Sequence, residues 1–105
     1  MLPWFLVQEQ SMEPLVYEGD FVFADNMSYR LFKPRVGQVV IARHPLKQGI
    51  LLLKRIVKEQ QGFYWIEGDN AEKSVDSRHF GWLQRELILG KVIHRTGPFE
   101  SSIMK

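Results

Sequence analysis

The sequence predicts a mainly β protein folded as a compact, partly closed sheet. Short runs rich in β-branched and aromatic residues recur along the chain, and glycine, proline, asparagine or aspartate stands in the gaps between them. No longer window has a convincing helical periodicity. With 105 residues the chain has the size of one domain, so we assign residues 1–105 to a single domain.

Six strands are predicted. They are WFLV (4–7), FVFA (21–24), GQVVIARH (37–44), ILLLKRIVK (50–58), GFYWIEG (62–68) and LGKVIHR (89–95). Gly19-Asp20 and Gly68-Asp69-Asn70 have the composition of turns, and residues 34–37 form a predicted loop. The stretch WLQREL (82–87) predicts one helical turn, and the terminal GPFESSIMK predicts a loose tail.

The composition excludes several function classes. A net charge of +2 with scattered basic residues does not indicate a nucleic-acid binder. The absence of cysteine excludes disulfides, thiol nucleophiles and Cys-ligated zinc, and it is consistent with a reducing compartment. His44, His79 and His94 lack the spacing of a metal site. We therefore expect no cofactor.

The N-terminal apolar run, Leu2 to Val7, is too short to cross a bilayer, which takes about 20 residues. It also lacks the basic start and the small-residue cleavage site of a signal peptide. We therefore expect a soluble, cytoplasmic protein without a transmembrane anchor.

Lys54 is the most informative single residue, because it interrupts the apolar strand ILLLKRIV. Residues two apart on a strand share a face, so Lys54 shares one with Leu52 and Ile56, while Arg55 occupies the other. A lysine at a strand edge can extend its ammonium to water. A desolvated lysine instead has a lowered pKa and can accept a proton, for example from the hydroxyl of Ser11.

Three sequence blocks in order resemble the type I signal peptidase family of Ser-Lys proteases. The blocks are Ser11-Met12-Glu13-Pro14 with Gly19-Asp20, then Lys54-Arg55, then Gly68-Asp69-Asn70 with Ser74, Asp76-Ser77-Arg78 and Gly81. The stretch VGQVVIARHP also resembles the family's strand between the first two blocks. The resemblance extends from about Val7 to Val92, and it implies the β-sheet catalytic core of signal peptidases and repressor-type Ser-Lys proteases.

This resemblance implies a serine endopeptidase. Ser11 would attack the scissile carbonyl, and Lys54 would act as general base and then as general acid. Ser74 would hydrogen-bond the Lys54 amine. Asp76 and Arg78 would form a structural pair that fixes their loop. The backbone N–H of Ser11 would donate to the developing oxyanion.

Substrate contacts are expected around the nucleophile. Met12 would shape the wall beside it, and the stretch FLVQEQ, which contains Glu9 and Gln10, would pair with the substrate as an added strand, with the loop 74–80 opposite. Glu9 departs from the family, in which this position is usually a glycine or a serine that assists the oxyanion. Because a carboxylate near Lys54 would favour the ammonium form, we expect Glu9 to point away.

The chain is short and lacks the membrane anchor and the large extra β domain of typical bacterial signal peptidases. It therefore resembles the small, soluble branch of nickel-type superoxide dismutase maturation proteases, which remove an N-terminal extension. The implied partner is a precursor protein, for which the soluble dismutase precursor is the candidate. The sequence does not indicate an oligomeric state.

Three alternatives compete with this interpretation. A β-rich module that binds an extended peptide by strand addition would not depend on Ser11 or Lys54. A self-cleaving repressor-type domain would need a cleavable segment upstream, and only ten residues precede Ser11. The stretch SVDSRHF places serine, aspartate and His79 together, but members of a catalytic triad normally come from distant segments.

Overall fold

A computed structural model describes residues 4–96 and the backbone of residues 101–103. It contains one sheet of eight strands. The strands are β1 (Trp4–Leu6), β2 (Phe21–Asp25), β3 (Val39–Arg43), β4 (Leu51–Gln60), β5 (Phe63–Glu67), β6 (Leu83–Gln84), β7 (Ile88–Thr96) and β8 (Ser101–Ile103). Two short α-helices, α1 (Ser28–Leu31) and α2 (Ser77–Phe80), and two 3-10 turns (Ala71–Lys73 and Arg85–Leu87) complete the described elements. The predicted mainly β class is confirmed.

The strand order is β1-β2-β7-β3-β4-β5-β6, and β8 pairs with β7. Every pairing is antiparallel. The register shifts in three ladders, at Phe23/Ala24, Ile41/Ala42 and Ile56/Lys58. Such irregularities increase the local twist, and the sheet is correspondingly curled and partly closed, as predicted.

The sheet is buried on both faces at its centre. Val39 and Ile41 of β3 belong to one hydrophobic cluster, which also contains Met12 and Val16. Val40 and Ala42 belong to a second cluster. This two-sided burial explains why β3 is a continuous apolar run rather than an alternating one.

The six predicted strands are present, and the differences concern short elements. The predicted helical turn at 82–87 is instead β6 followed by a 3-10 turn, because Leu83 is fully buried and pairs with Tyr64 of β5. In the predicted loose tail, residues 101–103 form β8 against β7. The other tail residues, 97–100 and 104–105, lie outside the described residues.

No helix within residues 4–96 is both long and apolar enough to cross a membrane.

Candidate active site

Ser11 lies in a compact turn between β1 and β2. Two backbone hydrogen bonds, from Val7 N–H to the Asp20 carbonyl (2.8 Å) and from Gly19 N–H to the Val7 carbonyl (2.9 Å), join the two arms of this turn. Met12 follows Ser11 directly and is only 1% exposed. The turn is therefore closed at its base and anchored in the hydrophobic core beside the serine.

A second turn, residues 68–70, holds the backbone of this segment. The Asn70 N–H donates to the Ser11 carbonyl at 2.8 Å, and the Asn70 side-chain amide donates to the Gln10 carbonyl at 3.0 Å. A Cβ atom at Gly68 would lie 2.6 Å from the Ser11 carbonyl oxygen and would also overlap with Ser74. The position therefore requires glycine.

The third sequence block was expected to support the lysine, and its contact with the Ser11 backbone was not predicted. The signal for that contact lay in the composition of the turn. Gly68 permits a close backbone approach, and Asn70 supplies donors from both its backbone and its side chain.

Lys54 projects from β4 into the protein interior. Leu52, Lys54 and Ile56 alternate as buried residues along the strand, and Lys54 has no exposed surface. Of the two adjacent cations, Lys54 therefore faces inward, whereas Arg55 binds Asp69 near the surface. The Lys54 Nζ and Ser11 Oγ atoms are joined by a buried hydrogen bond of 2.8 Å.

The surroundings of Lys54 favour its neutral form. Burial lowers the pKa of the Lys54 amine below its ordinary value, and this effect outweighs the negative charges of Glu9 and Asp76, which raise the pKa. The positive charge of Arg78 lowers the pKa further. A neutral amine beside a serine hydroxyl can accept the hydroxyl proton.

Asp76 is the centre of a buried polar cluster. Burial alone would raise the pKa of its carboxyl, but hydrogen bonds from Arg78, Ser74 and the Gly68 and Arg78 backbone N–H groups lower this pKa well below its usual range. The Arg78 Nη2 and Nε atoms lie 2.6 and 2.9 Å from the carboxylate oxygens. Asp76 and Arg78 thus form an ion pair, which the sequence resemblance implies.

Ser74 differs from expectation. Its hydroxyl was predicted to hydrogen-bond the Lys54 amine, but in the structure it donates to the Asp76 carboxylate. A serine hydroxyl has a single proton, and a carboxylate is a stronger acceptor than a neutral amine in the same position.

His79 belongs to the cap of α2. Its Nδ1 atom accepts a hydrogen bond of 3.2 Å from the Asp76 backbone N–H, while the Asp76 side chain caps the helix from the other side. The nitrogen that a triad would use to contact a carboxylate is therefore occupied by the cap.

A cleft of about 630 Å³ opens beside Ser11. One wall is residues 4–9 and the other is residues 49–53. Met12 and Glu9 line the cleft, whereas Gln10 does not, because its carbonyl faces Asn70. The predicted opposite wall, residues 74–80, is also not among the residues that line the cleft.

Glu9 was predicted to point away from Lys54. It is an exposed residue among those that line the cleft beside Ser11, and its charge raises the pKa of Lys54. The charge of Glu9 therefore acts on Lys54, contrary to the expectation.

Comparison with known proteins gives a consistent result. Residues 1–58 and 59–96 match the family described as "Signal peptidase, peptidase S26". The chain is 30% identical to mitochondrial inner membrane protease subunit 1 of Xenopus tropicalis, over 87% of this chain and 66% of the relative. It is 34% identical to mitochondrial ATP-independent inner membrane protease subunit 1a of Arabidopsis thaliana, over 90% of this chain and 70% of the relative.

A more distant relative is the chloroplastic thylakoidal processing peptidase 1 of Arabidopsis thaliana, 25% identical over 88% of this chain and 41% of the relative. The chain spans about two thirds of the length of the mitochondrial relatives that it matches. The mainly β, curled sheet is consistent with the family match. The chain belongs to the signal peptidase family, peptidase S26.

Proposed function

We propose that the protein is a serine endopeptidase that uses Ser11 and Lys54 to remove an N-terminal segment from a precursor protein. One observation carries this proposal, the buried 2.8 Å contact between the Lys54 amine and the Ser11 hydroxyl. The lowered pKa of Lys54 supports it, because a base must be neutral before it can take a proton.

The proposed reaction follows from these groups. Ser11 Oγ attacks the scissile carbonyl while neutral Lys54 takes the hydroxyl proton, and the C–N bond then breaks as the resulting ammonium protonates the leaving amine. Water hydrolyses the acyl-enzyme ester, with Lys54 again as base. The Ser11 N–H donates to no other group in the described ranges, and it is available to the oxyanion, where one donor contributes roughly 3 kcal/mol.

The cleft suits an extended peptide. Among the described strands, β1 pairs with β2 alone and forms one end of the sheet, so its other edge can accept an added strand. The side chains of Phe5, Val7 and Leu52 contribute to an apolar lining. An extended segment paired with β1 would reach Ser11, which follows β1 in the chain.

The names of the relatives, which are inner membrane proteases and a processing peptidase, support precursor cleavage. We propose the soluble precursor of nickel superoxide dismutase, which the sequence resemblance implies, as the specific substrate, and we propose the cytoplasm as the location. Purified protein and dismutase precursor, mixed without detergent or lipid, should release one shorter product with a defined N-terminus. If the dismutase precursor stays intact while another precursor is cleaved, this substrate is wrong and the mechanism stands.

The mechanism is tested by Ser11→Ala and Lys54→Met, each assayed by mass spectrometry of the products. Both variants should lose cleavage, and the double variant should be no worse than either single one, because the two residues act as a unit. Lys58→Met is the matched control, since Lys58 lies on the same strand but is exposed. Cleavage by folded Ser11→Ala would refute the proposal. Binding of precursors without cleavage by the wild type, unchanged in Ser11→Ala, would instead favour the peptide-binding module.

A further inference from the structure

Glu9 has an unusual position among the charged residues near the nucleophile. Every other residue that lines the cleft is uncharged. Asp69 is paired with Arg55, and Asp76 is paired with Arg78. Within the described part of the chain, the Glu9 carboxylate forms no ion pair with a lysine, an arginine or a histidine. The cleft therefore presents one carboxylate to whatever it binds.

An unpaired carboxylate at this place opposes the proposed reaction in two ways. It stabilises the ammonium form of Lys54, which cannot act as a base. It also lies two residues from Ser11, in the cleft where the attacked carbonyl oxygen would become negative, and like charges repel. A cation placed against Glu9 would reduce both effects, and the protein itself supplies none in the described cleft.

From this arrangement, and resting on the proposed function, we infer that Glu9 is a specificity-determining residue that selects substrates carrying a lysine or an arginine next to the scissile bond. The basic side chain pairs with the Glu9 carboxylate in an otherwise neutral cleft. The precursor thus supplies the missing countercharge as it binds. A substrate with a neutral residue at the same position leaves the carboxylate unpaired beside the reacting carbonyl.

The test uses pairs of 12-residue peptides that share one sequence with small residues around the cleaved bond. Within a pair, one position near that bond is lysine in one peptide and glutamine in the other, and each pair varies a different position. The ratio of kcat/KM for the lysine and glutamine peptides should be about five at the selected position, as for one exposed ion pair. Glu9→Gln should lower this ratio to about one, and Glu9→Lys should favour a glutamate peptide. The ratio is the decisive quantity because a substitution-induced change in the pKa of Lys54 in the free enzyme changes kcat/KM for both peptides by the same factor.

Glu18→Gln is the matched control, because Glu18 is an exposed glutamate outside the cleft. It should keep the wild-type ratio. A ratio that is the same in wild type and Glu9→Gln would overturn the inference. Binding of the same peptides to Ser11→Ala, followed by tryptophan fluorescence, gives a readout that needs no turnover, and equal affinity for lysine and glutamine peptides, or no binding of either, would also overturn it.

The two proposals fail in different ways. Cleavage that persists in Ser11→Ala or Lys54→Met would refute the proposed function. Cleavage that requires both residues but is indifferent to basic residues in the substrate would refute only the role of Glu9.

Discussion

Arg55 and Asp69 form a two-pronged ion pair, in which the Arg55 Nε and Nη2 atoms each lie 2.9 Å from a carboxylate oxygen of Asp69. Arg55 follows Lys54 on β4, and Asp69 precedes Asn70, which binds the Ser11 carbonyl. Two consecutive residues of one strand therefore hold Ser11, the proposed nucleophile. Lys54 contacts its hydroxyl directly, and Arg55 positions its backbone through the turn 68–70.

This relationship predicts that Arg55→Gln lowers the cleavage rate strongly but lowers the stability of the fold only slightly. The pair is partly exposed, so its loss should lower the free energy of unfolding by about 1 kcal/mol or less. We expect kcat to fall about tenfold, because small misplacements of a nucleophile reduce rates strongly. Urea denaturation and single-turnover cleavage measure the two effects. Arg43→Gln, an exposed arginine at the end of β3, should change neither, and an unchanged kcat in Arg55→Gln would remove its positioning role.

The pH dependence of cleavage should follow Lys54. Because burial lowers the pKa of its amine and the neutral form is the proposed base, kcat/KM should rise with pH through this lowered pKa and then level off. Lys54→Arg should be inactive at every pH, since a guanidinium stays protonated. A rate profile measured from acid to alkaline pH that stays flat would contradict a lysine base.

The same lowered pKa predicts a stability cost. Between the lowered pKa and the ordinary value of 10.5, the unfolded chain binds a proton at Lys54 that the folded protein does not. Folding stability attributable to Lys54 therefore rises with pH across this window, by about 1.4 kcal/mol for each unit by which the pKa is lowered. Lys54→Met should thus be more stable than wild type at neutral pH, and the difference should narrow as the pH rises through this window toward 10.5.

Thermal or urea unfolding of the two proteins at several pH values measures this difference. Lys58→Met provides the comparison for loss of an exposed lysine from the same strand. A Lys54→Met protein that is less stable than wild type at neutral pH would show that the buried amine stabilises the fold.

Asp76→Asn should destabilise the protein through the cluster that it organises. The neutral amide is a weaker acceptor for Arg78, Ser74 and the Gly68 N–H. We therefore expect the free energy of unfolding to fall by about 3 kcal/mol, as for other broken buried pairs. Because the folded pKa of Asp76 is lowered, its contribution is present above pH 3.8 and is lost as the pH falls toward the folded pKa.

Asp25→Asn is the control for this prediction, since the Asp25 carboxylate also accepts backbone and serine hydrogen bonds but lies near the surface. Asp25→Asn should lower the free energy of unfolding by about 1 kcal/mol. If urea unfolding gives equal losses of unfolding free energy for the two variants, the burial of Asp76 does not increase its contribution to stability.

The sequence was informative where local patterns decide the structure. Runs of β-branched and aromatic residues located six of the eight described strands, because such side chains favour a pleated, half-buried surface. The alternation around Lys54 restricted one cation to the interior of the protein. The structure shows that this cation is Lys54 and brings it to Ser11, although 43 positions separate them.

Tertiary contacts decided the remaining features. β6 has two residues and exists because Leu83 pairs with Tyr64. The partner of the Ser74 hydroxyl depended on the buried cluster around Asp76, which the fold assembles. The position of Glu9 beside the cleft depended on the path of the chain beyond β1. None of these is a property of a short sequence window.

Gly68→Ala should show that the nucleophile and its supporting cluster share one tight contact. The added methyl group would overlap with the Ser11 carbonyl oxygen and with the Ser74 side chain, and both neighbours are held by hydrogen bonds. We expect a loss of about 1–3 kcal/mol of stability, as for overpacked interiors, and a loss of most activity because Ser11 must shift.

Gly90→Ala is the control, since a Cβ atom there would approach Ala24 and Asp25 no closer than 3.3 Å. Gly90 lies away from the cleft on β7, so the control should keep its cleavage rate. Wild-type activity in Gly68→Ala would mean that the turn 68–70 can move without displacing the serine, and the proposed coupling between the two turns would then be wrong.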